Sequence, residues 1–433
     1  MKTKQYFNNA RIIDPYSSFD GIGSLLVEDG LITQFDKSKP SSKNYNDVEI
    51  IECNKLVLCP GIIDLSVSTG EPGSEHKETI SSATKAAAAG GITTIAIMPD
   101  TKPIIDDISL VEFIIQRAKN VGIINVLPMA SLTKNCEGEY ISEIGLLSEA
   151  GAIAFCDGYK SIGNANVMKR LLSYSKNFNA LIAHHIEVPE LKQNGVMNEG
   201  EISTRLGLEG ITSASEVIML DRDIHLLKLF DEVRYHAISV STYDSVQSIR
   251  KAKRNLKNIS ASVAPYHFLL NDSDVIDYKT FAKLIPPLRS EKDRLGIIEG
   301  IKDGTIEAIS SHHRPETQEK KRLPFANAKF GASGLDTLLT LSLSLYHNEH
   351  MKLIEVIDRL TLGPSKILNI PSGKISEGSP ADLLLFDPDF PRKINKENFI
   401  SKSKNSPFDK RPIQGKVIRT IVSGKTVYPF KDK

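Results

Sequence analysis

Net charge is almost absent from this chain: 54 lysines and arginines face 53 aspartates and glutamates, leaving +1 over 433 residues. No surface field of the kind that gathers nucleic acid or an anionic membrane is expected from that balance. Long apolar runs are missing too. No stretch of about 18 apolar residues occurs, so no transmembrane helix is expected. The opening MKTKQYFNNARIID has no apolar h-region, and no signal peptide is expected from it. Cysteine is scarce: Cys53, Cys59, Cys136 and Cys156 form no C-x-x-C pair and fit no zinc-finger spacing. Free thiols in a reducing cytoplasm follow. There is no internal repeat and no phosphate-binding loop; Gly90, Gly91 and Gly195 read as turn and cap glycines. Lys320, Lys321 and Arg322 form one of the denser basic clusters and read as a solvated surface segment.

What is present is an ordinary globular composition, 40% hydrophobic and 25% charged. Short apolar strands punctuated by turn residues (ARII, GSLLVEDGLITQF, VEIIEC) fill the first 57 residues, and GKISEGSPADLLLFDPD and GKVIRTIVSGKTVYPF read the same way near the other end. Segments 1–57 and 371–433 are therefore expected to build one small β-sandwich from both chain ends. Between them, 58–370 alternates apolar strands (GITTIAIM, INVLPMA, AIAFC, LIAHHI, RYHAISV, ISASVAP, TIEAISS) with helix-length segments such as KETISSATKAAAAG, for which Gly90 is the expected C-cap. This is an α/β pattern with a parallel sheet. A (β/α)8 barrel fits the count and would carry its site at the C-terminal strand ends; a doubly wound open sheet is the alternative. The polar stretch 401–414, SKSKNSPFDKRPIQ, is expected to cross the surface as a linker.

The segments LCPGIIDLSVSTGEPGSEHKETI, GGITTIAIMPDT, GVMNEGEISTRLGLEGI, PPLRSEKDR, LPFANAKFGASGLDTLL and NSPFDKRPIQGKV together resemble the dihydroorotase branch of the amidohydrolase superfamily, over essentially the whole chain. The resemblance implies a TIM-like metal-dependent-hydrolase barrel whose metals polarise a carbonyl and lower the pKa of a bound water. It also implies a ligand set that this chain has mostly lost. The family's His-x-His pair falls on Ser66 and Ser68, its bridging carboxylate on Gly158, the histidine of its H-V-S-T segment on Ser239 in SVST, and its aspartate, both ligand and general base, on His312. Only His185, in HHIEVPEL, is retained. The implied substrate clamp changes as well: the family arginine is Gly70, two asparagines are Asp100 and Ile285, and a histidine is Glu316. Exchanging the arginine for glycine and an asparagine for aspartate makes such a pocket more negative by about two charges. Each is worth about 4 kcal/mol at ~4 Å and an effective dielectric of about 20.

Two histidine pairs, His184-His185 and His312-His313, remain. Neighbours on a strand face opposite ways, so each pair offers at most one inward ring. His185 and His312 could meet at the barrel mouth near Asp64, Asp100 or Asp157; two histidines without a third ligand make a poor metal site, and hydrogen-bonded pocket residues are expected there. His236 and His267 read as structural. From the emptied ligand set follows the expectation of a non-catalytic protein with no catalytic residues, no metal and no cofactor. The resemblance implies for such a homologue a scaffold role in pyrimidine biosynthesis, with the aspartate carbamoyltransferase catalytic chain as partner; a homo-oligomer is also expected. The alternatives are an active dihydroorotase, cyclising N-carbamoyl-L-aspartate reversibly to dihydroorotate with zinc in a rebuilt site, or a remodelled cyclic-amide hydrolase using His185, His312, Asp100 and Glu316 as acids and bases.

Overall fold

The computed structural model describes residues 4–37, 48–230 and 232–430. Eight parallel strands follow one another around a sheet in chain order: Ile62–Val67, Ile92–Ile97, Asn125–Ala130, Ala154–Phe155, Leu181–His185, Arg234–Ile238, Ile259–Val263 and Ala308–Ile309. The first and last edges meet through a parallel bridge between Val67 and His313, with the Ser68 N–H donating to the His313 carbonyl at 2.9 Å. Strand order therefore matches the barrel, not the doubly wound sheet. Both faces of such strands are covered, which is why ITTIAI and IIDLSV are apolar almost throughout and wholly buried.

Alternation along the strands sorts two cores. Ile63, Leu65, Ala96, Met98, Met129, Ala154, Leu181, Ala183 and Ile238 fill the barrel interior. Ile62, Val67, Ile95, Ile97 and Ile182 pack outward against the helices. The helix Ile80–Ala89 shows the local logic. Thr79 caps it by accepting from the Ser82 N–H, and its alanine-rich sequence has high helix propensity. It stops at Gly90 as expected, but Gly90 stays right-handed (φ −82°); the left-handed turn is taken by Gly91 (φ +85°).

Both chain ends meet in one second sheet, largely antiparallel, in which the strand Leu383–Lys393 lies beside Val57–Pro60 and Pro412–Val422. Phe7, Leu25, Ile32, Leu58, Leu385 and Ile421 share its core.

Two surface expectations are corrected. Lys321 is fully buried, and its ammonium donates to the carbonyls of Lys283 (3.4 Å), Lys329 (2.9 Å) and Gly331 (2.9 Å). Burial pulls its pKa down to about 7. The stretch 401–414 lies only partly at the surface: Lys402, Lys410, Pro412 and Gln414 are exposed, but Ser401, Ser403, Asn405, Ser406 and Phe408 are buried. Its polar side chains are polar because they are hydrogen-bonded, Ser403 to the Glu316 carbonyl (2.5 Å), Asn405 to the Gly331 carbonyl (2.8 Å) and Ser401 to Glu78. Among the described residues no helix is long and apolar enough to cross a membrane.

Candidate functional site

Strand parity builds the site. The residues that follow Ala183, Met98 and Ala308 at even spacing are His185, Asp100 and, past Ser310, His312; all arrive at the C-terminal mouth. A register irregularity between Asp64 and Val67 shifts the parity of the first strand. Ser66 then contacts the Met98 sulfur (3.1 Å), and Ser68 donates to Asp100 at 2.8 Å. The partners of the two inward histidines face away. His184 bridges Asp223 (2.7 Å) and the Ile162 N–H (2.9 Å), and His313 accepts from the Gly334 N–H (3.2 Å) beside Glu78.

The mouth centres on Tyr159. Its ring meets His312 edge-on at 5.1 Å and His185 at 6.2 Å, and the Arg314 guanidinium lies 3.9 Å over its face. A large share of the polar atoms here has no partner. Both ring nitrogens of His185, Nε2 of His312, the Tyr159 hydroxyl, the Ser239 hydroxyl and one Asp64 oxygen are buried without a hydrogen bond. Nearby Glu187 comes no closer than 3.8 Å to His185 and is bound by Lys192 at 2.7 Å. Orphaned buried polar atoms are rare in native proteins, and each calls for a reason. The backbone is also strained: His312 (φ +50°) and Ser239 (φ +56°) sit in the left-handed region without being glycine. Such outliers gather at functional sites.

Electrostatics follow from burial. His312 is held well below the ordinary histidine range by burial first, then by His267, His185 and Arg314. Asp100 is raised by burial, against the opposing pull of Arg314 and Ser68; Asp64 is raised by burial against its bonds from Ser310 and Ser311. Asp157, expected nearby, is committed elsewhere: its carboxylate accepts from the Leu132 and Thr133 N–H groups and the Thr133 hydroxyl (2.8, 3.0 and 2.5 Å). Glu316 is buried and salt-bridged to Lys77 at 2.8 Å. Ile285 is buried next to Pro286, whose carbonyl accepts from His267 (3.1 Å).

Two of the altered positions could not simply regain the family's residues. A Cβ at Gly70 (φ +72°) would lie 2.7 Å from the Ser74 carbonyl oxygen. A Cβ at Gly158 (φ +63°) would lie 3.1 Å from the Asp100 Cβ. Sequence reasoning missed Tyr159 and Arg314. Both stand beside residues already singled out, Tyr159 next to Gly158 and Arg314 two residues after His312, at positions the family pattern does not mark. Arg314 offsets part of the excess negative charge expected from Gly70 and Asp100, while Lys77 is paired with Glu316.

A metal requires a donor set. His185 and His312 supply imidazoles, but Ser66, Ser68 and Ser239 supply only neutral hydroxyls, and Asp157 is spent. Among the described residues no group of three histidine, cysteine, aspartate or glutamate side chains is placed to hold an ion. The residues present do not fit the family's metal centre.

A closed parallel barrel with converging polar groups at its C-terminal mouth, joined to a sheet made from both termini, is the amidohydrolase architecture. L-Hydantoinase (dihydropyrimidinase) from Arthrobacter aurescens superposes with a TM-score of 0.86 at 22% identity, over 99% of this chain and 96% of that one. Residues 55–245 match the family described as Dihydro-orotase-like. Curated dihydroorotases are similar over nearly the full length. That of Wolbachia sp. subsp. Drosophila simulans (strain wRi) is 44% identical across 98% of this chain and 96% of its own, and that of Anaplasma phagocytophilum (strain HZ) 43% identical across 97% and 94%. The chain belongs to the dihydroorotase family. These relatives carry an enzyme's name along the whole chain, which overturns the expectation of a non-catalytic assembly subunit for aspartate carbamoyltransferase. They give no support to the expectation that no cofactor is needed; the poor fit of a metal here rests on the donor set alone.

Proposed function

We propose that this chain is a catalytic member of its family, interconverting a dihydroorotate-class cyclic amide and its open N-carbamoyl amino acid at the C-terminal mouth of the barrel. The observation that carries this reading is the set of unpartnered buried polar atoms on His185, His312 and Tyr159, which together ask for a polar guest. In ring opening, water adds to the ring carbonyl carbon, the carbon–nitrogen bond breaks, and the departing nitrogen gains a proton. The Nε2 of His312, buried without a hydrogen bond at the mouth, is the acceptor for the proton from water. The Tyr159 hydroxyl, whose pKa burial raises, stays protonated and is a donor for the developing oxyanion. Closure runs the same steps backwards. No metal takes part in this scheme, because the donor set does not suit one. Four buried free thiols accord with a reducing compartment, and we place the reaction in the cytoplasm.

The test is turnover of dihydroorotate and N-carbamoyl-L-aspartate by purified protein, before and after exhaustive chelation. The expected result is turnover in both conditions. Absence of turnover in both would remove the reading; turnover abolished by chelation would remove its metal-free chemistry.

A further inference from the structure

Arg314 has five N–H donors, and among the described residues its side chain makes no hydrogen bond and no ion pair; the Tyr159 ring lies beneath it, and Asp100 is near enough to feel its charge. Other buried or half-buried arginines of the barrel are engaged. Arg289 binds Asn198, Ser241 and the Ile211 carbonyl, Arg222 binds Asp223 and two carbonyls, and Arg117 binds Glu71. At the mouth itself Lys77 is taken by Glu316. Arg314 is thus the uncommitted cation beside the unpartnered histidines.

The fold fixes it there. Its N–H donates to the Ala332 carbonyl at 2.9 Å, and Gly331 (φ +121°) packs so closely that a Cβ would lie 2.5 Å from the Arg314 carbonyl oxygen and 3.0 Å from its Cγ. The guanidinium carbon lies 3.9 Å over the Tyr159 ring, and no N–H of the side chain is taken by a described residue. A planar fork presented in this way matches a carboxylate, which it can bind through two parallel hydrogen bonds. Asp100 is the competing anion on the protein, but Ser68 occupies its oxygens at 3.0 and 2.8 Å, and it forms no ion pair with Arg314.

We infer that Arg314 binds a carboxylate of the substrate and so selects carboxylated rings over uncharged ones. This rests on the ring-opening reading above. The role cannot pass to position 70, where the backbone leaves no room for a long side chain.

The experiment compares wild type, Arg314→Gln and Arg314→Lys by titration calorimetry with dihydroorotate, N-carbamoyl-L-aspartate and dihydrouracil, which lacks the carboxylate. Steady-state kinetics are measured alongside, with melting temperatures to verify folding. The expected result for Arg314→Gln is a 10- to 100-fold loss of affinity for both carboxylated ligands, about 1.4–2.8 kcal/mol at 1.4 kcal/mol per decade. KM should rise more than kcat falls, dihydrouracil binding should be unmoved, and Arg314→Lys should lie between. Turnover by wild type with unchanged KM and affinity in Arg314→Gln would overturn the inference and leave the ring-opening reading intact. Carboxylate binding that depends on Arg314, without turnover, would support the inference and defeat that reading. A wild type that neither binds nor turns over would defeat both.

Discussion

His185 and His236 stand on adjacent barrel strands, and both point into the barrel, yet they live under opposite rules. His236, deeper in, is hydrogen-bonded through both ring nitrogens to Ser260 and Ser262 at 2.9 Å, among Leu65, Met129, Leu181 and Ile238. His185, at the mouth, is equally buried and has no hydrogen bond at either nitrogen. Of these two rings, the fold satisfies the one deep in the barrel and leaves the one at the mouth open.

The largest effect that would break this contrast is expected at the mouth. His312→Asn should lower kcat by about 10²–10⁴-fold, the range for losing a positioned acid or base, with the melting temperature nearly unchanged. Stopped turnover assays with differential scanning calorimetry check this; a variant of unaltered kcat would place His312 among the structural histidines. His236→Leu should do the reverse. It removes a hydrogen-bond partner from the hydroxyls of Ser260 and Ser262 and should destabilise the fold by about 1–3 kcal/mol, while kcat per folded molecule holds. Urea unfolding with active-site titration reads both quantities.

Gly70→Arg sharpens the comparison from another side. It restores the family's residue at a left-handed position against the Ser74 carbonyl, so it should lower stability by about 1–3 kcal/mol and leave carboxylate affinity where it was. A gain in affinity without loss of stability would show that position 70 still serves as the clamp.

The smallest effect concerns pH. Burial depresses His236 to about 3 and His267 to about 4. Below about pH 6.5 the unfolded chain binds protons at these histidines that the folded chain refuses. Their contribution is therefore complete above pH 6.5 and is lost progressively as pH falls toward 4. The melting temperature should decline over that interval, with a shallower slope in His267→Asn.

The barrel was legible because its signals are local and repeated: apolar strands of regular length, caps such as Thr79, and an inward parity that runs from Leu181 to His185. The mouth was only partly legible. Parity places His185 and His312, but Tyr159 reaches the site through loop geometry that no spacing encodes, and Arg314 follows His312 at the same even spacing in a residue type the family pattern does not mark. The serines of 401–414 were misread because hydrogen bonding to Glu78, Glu316 and Gly331 is long-range, and composition cannot distinguish a solvated hydroxyl from a satisfied one. Serines at ligand positions 66, 68 and 239 imply missing activity only if no other group takes over the chemistry. Those identities report which chemistry a site has lost; they are silent on groups such as Arg314 that the fold brings in from elsewhere.

The most direct measurement is dihydroorotate ring opening by chelated, metal-free protein, followed in wild type and His312→Asn. Turnover in the first that falls at least 100-fold in the second is the result expected. Metal-free wild type with no turnover, or turnover indifferent to His312, would contradict the account.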